Sequence, residues 1–201
     1  DAVMIEPTTI AIQSCTRAEL EKEDMLLIYG AGALGSSILK IAHTICDHII
    51  VADIMDDKLA EAKQNGASYT INVATENFQE KVLEYTKGRG ATVSIDAACV
   101  KNSLLLLLQA TGNAGRVITM GFSTAATEVN QFLITSKELD VRGSRLQNKM
   151  FGKAIEMIEK GTLDLNHSIS HTFPLTKAQE AFDFVDSRDP SIRKIVFTFD
   201  F

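Results

Sequence analysis

Short, wholly apolar segments alternate along this chain with longer segments that repeat apolar residues at helical spacing. Residues 25–29 are all apolar or aromatic, and so are residues 49–52. Uninterrupted apolar runs of this length are typical of strands that are buried on both faces, as in a parallel sheet covered by helices. The alternation of such strands with helices predicts βαβ units.

The pattern predicts about six strands and five helices before residue 145. The strands are expected at residues 25–29, 49–53, 68–72, 92–96, 115–120 and 139–142. The helices are expected at residues 8–20, 33–45, 56–64, 77–86 and 103–110. Pro7 is expected at the start of the first helix, and Gly112 is expected to cap the last one. The predicted fold class is therefore α/β, a Rossmann-type doubly wound parallel sheet.

Beyond Gly143 the character of the sequence changes, and we place a boundary near residue 145. The later elements are expected to be two helices and two extended segments, at residues 153–160, 178–187, 171–173 and 194–199. Residues 104–108 are five consecutive leucines. A helix that is apolar all round is usually buried between two layers, so we expect this one to pack on the sheet and against another domain.

The sharpest motif is a G-x-G-x-x-G sequence directly after the first predicted strand, Gly30-Ala31-Gly32-Ala33-Leu34-Gly35. The first glycine permits a tight turn, the second lets a pyrophosphate approach the backbone, and the third lets the helix pack close to the strand. The pyrophosphate would then lie at a helix N-terminus, where free N–H groups and the macrodipole favour an anion. The alternative is a glycine-rich turn that binds no ligand.

Asp53 ends the second predicted strand, 18 residues after Gly35. A carboxylate at this point accepts hydrogen bonds from the adenosine ribose hydroxyls and repels a 2′-phosphate, which favours NAD over NADP. The alternative is a solvated surface aspartate. Lys58 is expected either to lie over the adenosine or to be an exposed helix lysine.

Composition narrows the possible partners. The formal net charge of −6 argues against a nucleic acid or an anionic membrane surface. The five leucines are far short of the roughly 20 apolar residues that span a bilayer. Cys15, Cys46 and Cys99 fit neither a zinc pair nor a disulfide framework, and a reducing, cytoplasmic setting follows. The histidines, for which no metal spacing is found, are His43, His48, His167 and His171.

Two classes of dehydrogenase can be distinguished on the sequence. A short-chain dehydrogenase needs Tyr-x-x-x-Lys, and none of the three tyrosines has a lysine four residues later. The chain instead resembles the C-terminal portion of the zinc-dependent medium-chain dehydrogenases, in the branch that acts on polyols, sorbitol, threonine and sugar acids. The resemblance rests on the glycine motif and on four further segments, residues 5–7, 115–121, 171–175 with 178–182, and 191–194.

The resemblance implies a division of the chain. Residues 1–6 would end a catalytic domain, residues 7–145 would form the NAD-binding domain, and residues 146–201 would return to the catalytic domain. The first part of that catalytic domain, with most catalytic residues and zinc ligands, would be missing, and we expect the chain to be a fragment. Glu6 would supply a carboxylate at the catalytic zinc of the full-length enzyme, and Arg193 would reach the cofactor phosphates. Their alternatives are an exposed acid near a helix N-terminus and a surface arginine.

The resemblance also implies a function, hydride transfer between NAD and a secondary alcohol such as a polyol, a sugar acid or threonine. The fragment alone is expected to bind NAD without turnover, and zinc is expected only in the full-length enzyme. Homodimers or tetramers are expected through the cofactor domains, with residues 122–134 close to the interface. Two alternatives remain open. One is a non-catalytic NAD-sensing module, and the other is a zinc-free quinone reductase, which Asp53 disfavours.

Overall fold

A computed structural model describes residues 2–163, 165, 168–187, 189 and 191–199 of the chain. Six strands form one parallel sheet in the order β3-β2-β1-β4-β5-β6. They are Met25–Tyr29 (β1), His48–Asp53 (β2), Tyr69–Asn72 (β3), Ala91–Asp96 (β4), Thr111–Thr119 (β5) and Asp140–Gly143 (β6). This strand order is that of the Rossmann fold, which confirms the predicted fold class.

Helices cover both faces of the sheet, and two further helices follow its last strand in the sequence. The helices are Ile5–Arg17 (α1), Ala33–His43 (α2), Asp56–Gln64 (α3), Phe78–Tyr85 (α4), Ser103–Ala110 (α5), Gln131–Lys137 (α6), Phe151–Glu159 (α7) and Ala178–Asp186 (α8). After α7, two further strands, His171–Pro174 (β7) and Ile195–Thr198 (β8), pair in parallel as a separate small sheet.

Alternate residues of the central strands point to opposite faces and make two apolar cores. On β1, Leu26 and Ile28 pack in the core on the side of α1, α2, α3 and α7, while Leu27 packs in the core beneath α4 and α5. All three side chains are fully buried. The apolar run at residues 25–29 therefore corresponds to a strand that is covered by helices on both faces.

The sheet places the glycine motif at its carboxyl edge, where the strand order reverses. β1 has β2 on one side and β4 on the other, so the loop after β1 opens into the crevice between the two halves of the sheet. Ligands of open α/β sheets bind in this crevice because the loops from the two halves diverge there.

Several predicted ends shift by a few residues. α1 begins at Ile5 and ends at Arg17, so Pro7 is the third residue of the helix instead of its start. Proline is tolerated there because the N–H groups of the first turn have no intrahelical partner. The five-leucine segment packs on β4 and β5 as expected, and Leu107 and Leu108 are fully buried. Its other neighbours are α4 and α6, and packing against another domain stays a prediction.

The region after α5 departs from the prediction in two ways. Gly112 does not cap α5, because the chain becomes extended at Thr111 and enters β5 there, with a register shift against β4. The second departure is α6, which the sequence did not predict. None of its residues is fully buried, and its apolar residues Phe132, Leu133 and Ile134 are consecutive instead of spaced at helical intervals, so the periodicity on which a helix prediction depends is absent.

Residues after the sixth strand first pack on the large sheet's own helices. α7 contacts α1, and Ala154 is fully buried in the core between them. The division of the chain at residue 6 and residue 145 stays a prediction. In the part of the chain that the structure describes, no helix is long and apolar enough to cross a membrane.

Candidate dinucleotide-binding site

The outer glycines of the motif hold a compact turn. Gly30 has φ +104°, a conformation that L side chains rarely adopt, and a Cβ there would lie 2.7 Å from the backbone nitrogen of Ala98. A Cβ on Gly35 would lie 1.8 Å from the carbonyl oxygen of Gly30. Both positions therefore require glycine in order for α2 to pack against the end of β1.

Gly32 differs from its two neighbours because a Cβ there would meet nothing within 4 Å. The residue has φ −66° and ψ −170°, which any amino acid can adopt, and it is the N-cap of α2 without a side-chain cap. The first turn of α2 thus presents the N–H groups of Ala33 and Leu34 to open space in front of Gly32. A side chain at residue 32 would fill this space, which has the geometry of a candidate anion-binding cradle.

Asp53 is tied to the glycine turn by its carboxylate. Its Oδ2 accepts a hydrogen bond of 2.6 Å from the N–H of Ala31, and its Oδ1 accepts one of 3.0 Å from the N–H of Met55. The side chain is half-buried at the end of β2. Each carboxylate oxygen has a second lone pair, so both can still accept a ribose hydroxyl.

A second carboxylate orders the loop on the other side of the turn. Asp96 ends β4 and is almost fully buried, and its two oxygens accept hydrogen bonds from Cys99 N at 2.8 Å and Ser103 Oγ at 2.6 Å. These bonds fix residues 97–102, so that the N–H groups of Ala97 and Ala98 donate to the carbonyl oxygen of Tyr29. Burial raises the pKa of the Tyr29 hydroxyl, and the negative charges of Asp96 and Asp53 raise it further.

A cleft of about 310 Å³ opens beside the first turns of α2. It brings together several residues that the sequence singled out, namely Glu6, Ala33, Leu34 and Arg193. Glu6 is exposed at its rim. Arg193 forms an ion pair across the cleft with Glu61 of α3, with 2.7 Å between Nη2 and Oε2.

Ser144 adds an unexpected polar group to the cleft. Its Oγ is buried and has no hydrogen-bond partner among the described residues. The residue lies just after β6, where its backbone N–H donates to Thr119, and it lines the cleft with Met120 and Phe122. A buried hydroxyl without a partner indicates a place where a ligand or water supplies one.

Lys58 does not line this cleft. It is half-buried and lines a small cavity with Ala31, Ser36 and Glu61. Two exposed apolar residues flank the turn instead, Ile54 directly after β2 and Val100 in the loop after β4. The strands that precede them, β2 and β4, lie on either side of β1.

No metal centre is formed within the described residues, where no three His, Cys, Asp or Glu side chains are grouped to hold an ion. His171 contacts the ring of Phe184, with 4.7 Å between centroids, and its Nδ1 lies 3.0 Å from Ser170 Oγ. These contacts fit the interpretation of His171 as a packing residue. His167 lies outside the described residues.

The structure thus assembles most of the predicted site residues at one edge of the sheet, around the glycine turn and the cleft. Sequence reasoning missed Glu61, Asp96, Ser144, Ile54 and Val100. Asp96 could have been found, because a carboxylate that ends a buried strand at the ligand-binding edge is a detectable signal. The pairing of Glu61 with Arg193 spans 132 residues of sequence, and no local pattern reveals it.

Comparison with known proteins identifies the family. Residues 33–160 match the family model described as zinc-binding dehydrogenase. The chain is similar to the starvation-sensing protein RspB of Escherichia coli (strain K12), at 34% identity over 98% of this chain and 58% of that protein. It is also similar to the erythritol/L-threitol dehydrogenase of Mycolicibacterium smegmatis, at 30% identity over 96% of this chain and 54% of that enzyme.

A solved structure shows the same similarity in three dimensions. It is a crystal structure described as a short chain alcohol dehydrogenase (rspB) from Escherichia coli CFT073, complexed with the cofactor NADH. It matches with a TM-score of 0.91 and 34% identity, over 96% of this chain and 58% of that one. The chain spans somewhat more than half the length of these relatives. The resemblance inferred from the motifs is confirmed, and the chain belongs to the zinc-binding dehydrogenase family.

Proposed function

We propose that the chain binds NAD and is the cofactor-binding portion of an alcohol dehydrogenase. The observation that carries the proposal is Gly32. Its missing side chain leaves the N-terminus of α2 open, whereas the two outer glycines are required by packing alone. An open helix N-terminus after a buried strand is the arrangement that binds a pyrophosphate.

The rest of the cofactor can be placed along the edge of the sheet. The adenosine ribose would bind to Asp53, with the adenine ring between Ile54 and Val100. The nicotinamide end would enter the cleft, where the buried hydroxyl of Ser144 is available to its carboxamide group. Arg193 lines the same cleft and offers a guanidinium to the phosphates. Lys58 would approach the adenosine from α3.

Asp53 supports NAD as the preferred cofactor. Its carboxylate already accepts two backbone N–H groups and lies where the ribose hydroxyls would be. A 2′-phosphate would place two further negative charges against it, and helix α3, which follows β2, carries a further carboxylate at Glu61. Bound NAD supplies the hydride acceptor, and the residues of this chain bind and orient it.

For the whole protein we propose oxidation of a secondary alcohol, such as a polyol or sugar acid, with zinc as a second cofactor. The erythritol/L-threitol dehydrogenase and the family name support this. Glu6, exposed at the rim of the cleft, would contribute one zinc ligand, while a stable site needs three or four. The residues described here do not complete such a site, so turnover by this chain alone is not expected. A cytoplasmic location fits the three unpaired cysteines.

The proposal is tested by calorimetric titration of the chain with NAD and with NADP, in parallel with Asp53→Ala. We expect saturable binding of NAD, weaker binding of NADP, and weaker binding of NAD by the variant. Removing the ribose acceptor should weaken NAD by about ten-fold or more, since a charge-assisted hydrogen bond contributes about 1.5–3 kcal/mol. Wild-type protein that remains folded and binds neither dinucleotide would refute the proposal.

An NAD-sensing module without catalysis would give the same titration, so a second measurement is needed. The longer protein that contains this chain should oxidise a polyol in the presence of NAD and zinc, and lose that activity when zinc is chelated. Zinc-independent reduction of a quinone by NADH or NADPH, without oxidation of a polyol, would favour the zinc-free quinone reductase interpretation. Absence of any turnover by the zinc-loaded protein would favour the sensing module.

We further propose that two copies associate through the cofactor domains. β6 is the last strand of the sheet order, so one of its edges is unpaired within the described chain. Val141 on this strand is 40% exposed, and Phe132 of the nearby helix α6 is 73% exposed. Sedimentation should show a dimer or tetramer that Val141→Lys dissociates, while Val185→Lys on α8 leaves it intact. A wild-type monomer at all concentrations would contradict this.

A further inference from the structure

The guanidinium of Arg193 is engaged along one edge by a single carboxylate oxygen. Its Nε and Nη2 both donate to Oε2 of Glu61, at 2.9 Å and 2.7 Å. The two side chains are 16% and 32% exposed, so the pair is partly shielded from water. Glu61 lines the cleft together with Arg193, on the side of the first turns of α2.

A pyrophosphate bound at the N-terminus of α2 would accept hydrogen bonds from the same two donors, Nε and Nη2 of Arg193. Carboxylate and phosphate oxygens both accept two parallel hydrogen bonds from one edge of a guanidinium. The negative charge of Glu61 also cancels much of the field that Arg193 projects into the cleft. Glu61 is therefore placed both to occupy the arginine and to repel a dianion beside it.

We propose that Glu61 competes with the cofactor pyrophosphate for Arg193 and thereby lowers cofactor affinity. The inference rests on the proposed NAD site and assigns a regulatory residue to it. When NAD binds, the edge of Arg193 that faces Glu61 turns toward the phosphates, and Glu61 returns to solvent at the surface of α3.

The same ion pair also stabilises the protein without cofactor, so removal of Glu61 should change stability and cofactor affinity in opposite directions. Glu61 belongs to α3, and Arg193 precedes β8, so the pair joins the Rossmann sheet's helices to the C-terminal segment. A second link, from Lys40 Nζ to Ser168 Oγ at 3.1 Å, joins α2 to the same segment. Loss of Glu61 should consequently lower stability while it raises affinity, whereas a residue that only supports the site would lower both.

The experiment compares wild-type chain, Glu61→Gln, Arg193→Ala and the double variant. For each, the dissociation constant for NAD is measured by calorimetry and the midpoint of thermal unfolding is measured without ligand. Asp57→Asn is the matched control, because it removes one negative charge from an exposed position on the same helix. If Glu61→Gln fails to fold, Glu61→Met, of similar volume and also uncharged, replaces it.

We expect Glu61→Gln to bind NAD about three- to ten-fold more tightly than wild type, which is the effect of removing one partly screened charge near a dianion. Its unfolding midpoint should fall. The gain in affinity should vanish in the Arg193→Ala background, and Asp57→Asn should change affinity by less than about two-fold.

Unchanged or weaker NAD binding by Glu61→Gln would overturn the proposal, and so would an equal gain without Arg193. These outcomes differ from failure of the proposed function. If wild type binds NAD and Glu61→Gln shows no gain, only the role of Glu61 is lost. If neither protein binds NAD while both remain folded, the cofactor site itself is wrong, and the role of Glu61 falls with it.

Discussion

The N–H of Ala31 donates a hydrogen bond of 2.6 Å to Oδ2 of Asp53. This bond joins the two parts of the dinucleotide fingerprint, the glycine turn after β1 and the acid at the end of β2. Because the residues are 22 positions apart in sequence, the parallel pairing of β1 and β2 is what brings them together. Asp53 therefore holds the glycine turn in addition to its proposed role in binding the ribose.

Asp53→Asn tests this double role. The amide has one acceptor oxygen, so the N–H of either Ala31 or Met55 loses its partner. We expect NAD to bind about ten-fold more weakly, and the preference for NAD over NADP to shrink, since the repulsion of a 2′-phosphate is gone. Calorimetric titration with both dinucleotides measures this. Asp57→Asn, on the neighbouring helix turn, is the control, and equal effects of the two substitutions would contradict the assignment.

The middle and last glycines of the motif should respond in opposite ways to alanine. In Gly32→Ala the new Cβ meets no protein atom, so we expect the unfolding free energy to change by less than about 1 kcal/mol while NAD binding falls at least ten-fold. In Gly35→Ala the Cβ collides with the Gly30 carbonyl, which should destabilise the fold by about 3 kcal/mol or more.

Chemical denaturation and NAD titration of the same two proteins separate these effects. A Gly32→Ala protein that is stable and still binds NAD normally would show that the open cradle is not the phosphate site. A Gly35→Ala protein as stable as wild type would show that α2 can move away from β1 without cost.

The fold was largely predictable because its strands are buried on both faces. Residues 25–29 of β1 and residues 56–64 of α3 were located without error, since an apolar run and a pair of first-turn aspartates are local signals. The glycine motif and Asp53 were found for the same reason. Each residue of the fingerprint is constrained by its own strand or turn.

The remaining features depend on contacts between distant residues, which leave no local pattern. α6 has seven residues, and its three apolar residues are consecutive, so its sequence carries no helical periodicity. The early start of β5 at Thr111 is fixed by its pairing with Ala91 of β4. The engagement of Arg193 by Glu61, and the unpaired hydroxyl of Ser144, are likewise properties of packing alone.

A buried ion pair joins β5 to the residue that precedes β1, and it leads to a prediction about stability. Arg116 Nη2 lies 2.6 Å from Asp24 Oδ1, and the side chains are 18% and 7% exposed. Arg116→Met leaves the aspartate buried without its cation, so we expect a loss of about 3–5 kcal/mol in unfolding free energy. Arg142→Met is the control, because its partners Glu19 and Asp140 are both exposed and each pair should contribute less than about 1 kcal/mol. Similar losses in both variants would contradict this explanation.

Lys137 closes the end of α5 from a different helix. Its Nζ donates to the carbonyl oxygens of Leu108, Gln109 and Thr111, at 3.1, 2.8 and 2.9 Å. Lys137→Met removes all three donors, and we expect a loss of about 1–3 kcal/mol in denaturant unfolding, because the helix end lies in a partly buried place. Lys160→Met removes only an exposed pair with Glu156, and it should cost much less than Lys137→Met. The reverse ranking would exclude a capping role for Lys137.

The buried thiols predict how stability depends on pH above neutrality. Burial raises the pKa of Cys15 to about 12 and that of Cys46 to about 11, whereas both would ionise near the ordinary thiol value in the unfolded chain. Between pH 9 and 11 the unfolded chain therefore loses protons that the folded chain keeps, and stability falls as pH rises through this window.

The measurement is the difference in unfolding free energy between wild type and Cys15→Ala from pH 8 to pH 11. The alanine variant is less stable at pH 8 because it leaves a small cavity in the core. Since it has one thiol fewer to ionise on unfolding, its stability should decline less steeply, and the two curves should converge by about 1.4 kcal/mol per pH unit at most. Parallel curves would mean that the Cys15 thiolate forms as readily in the folded core as in water, and the burial of this side chain between α1 and its neighbours would then be wrong.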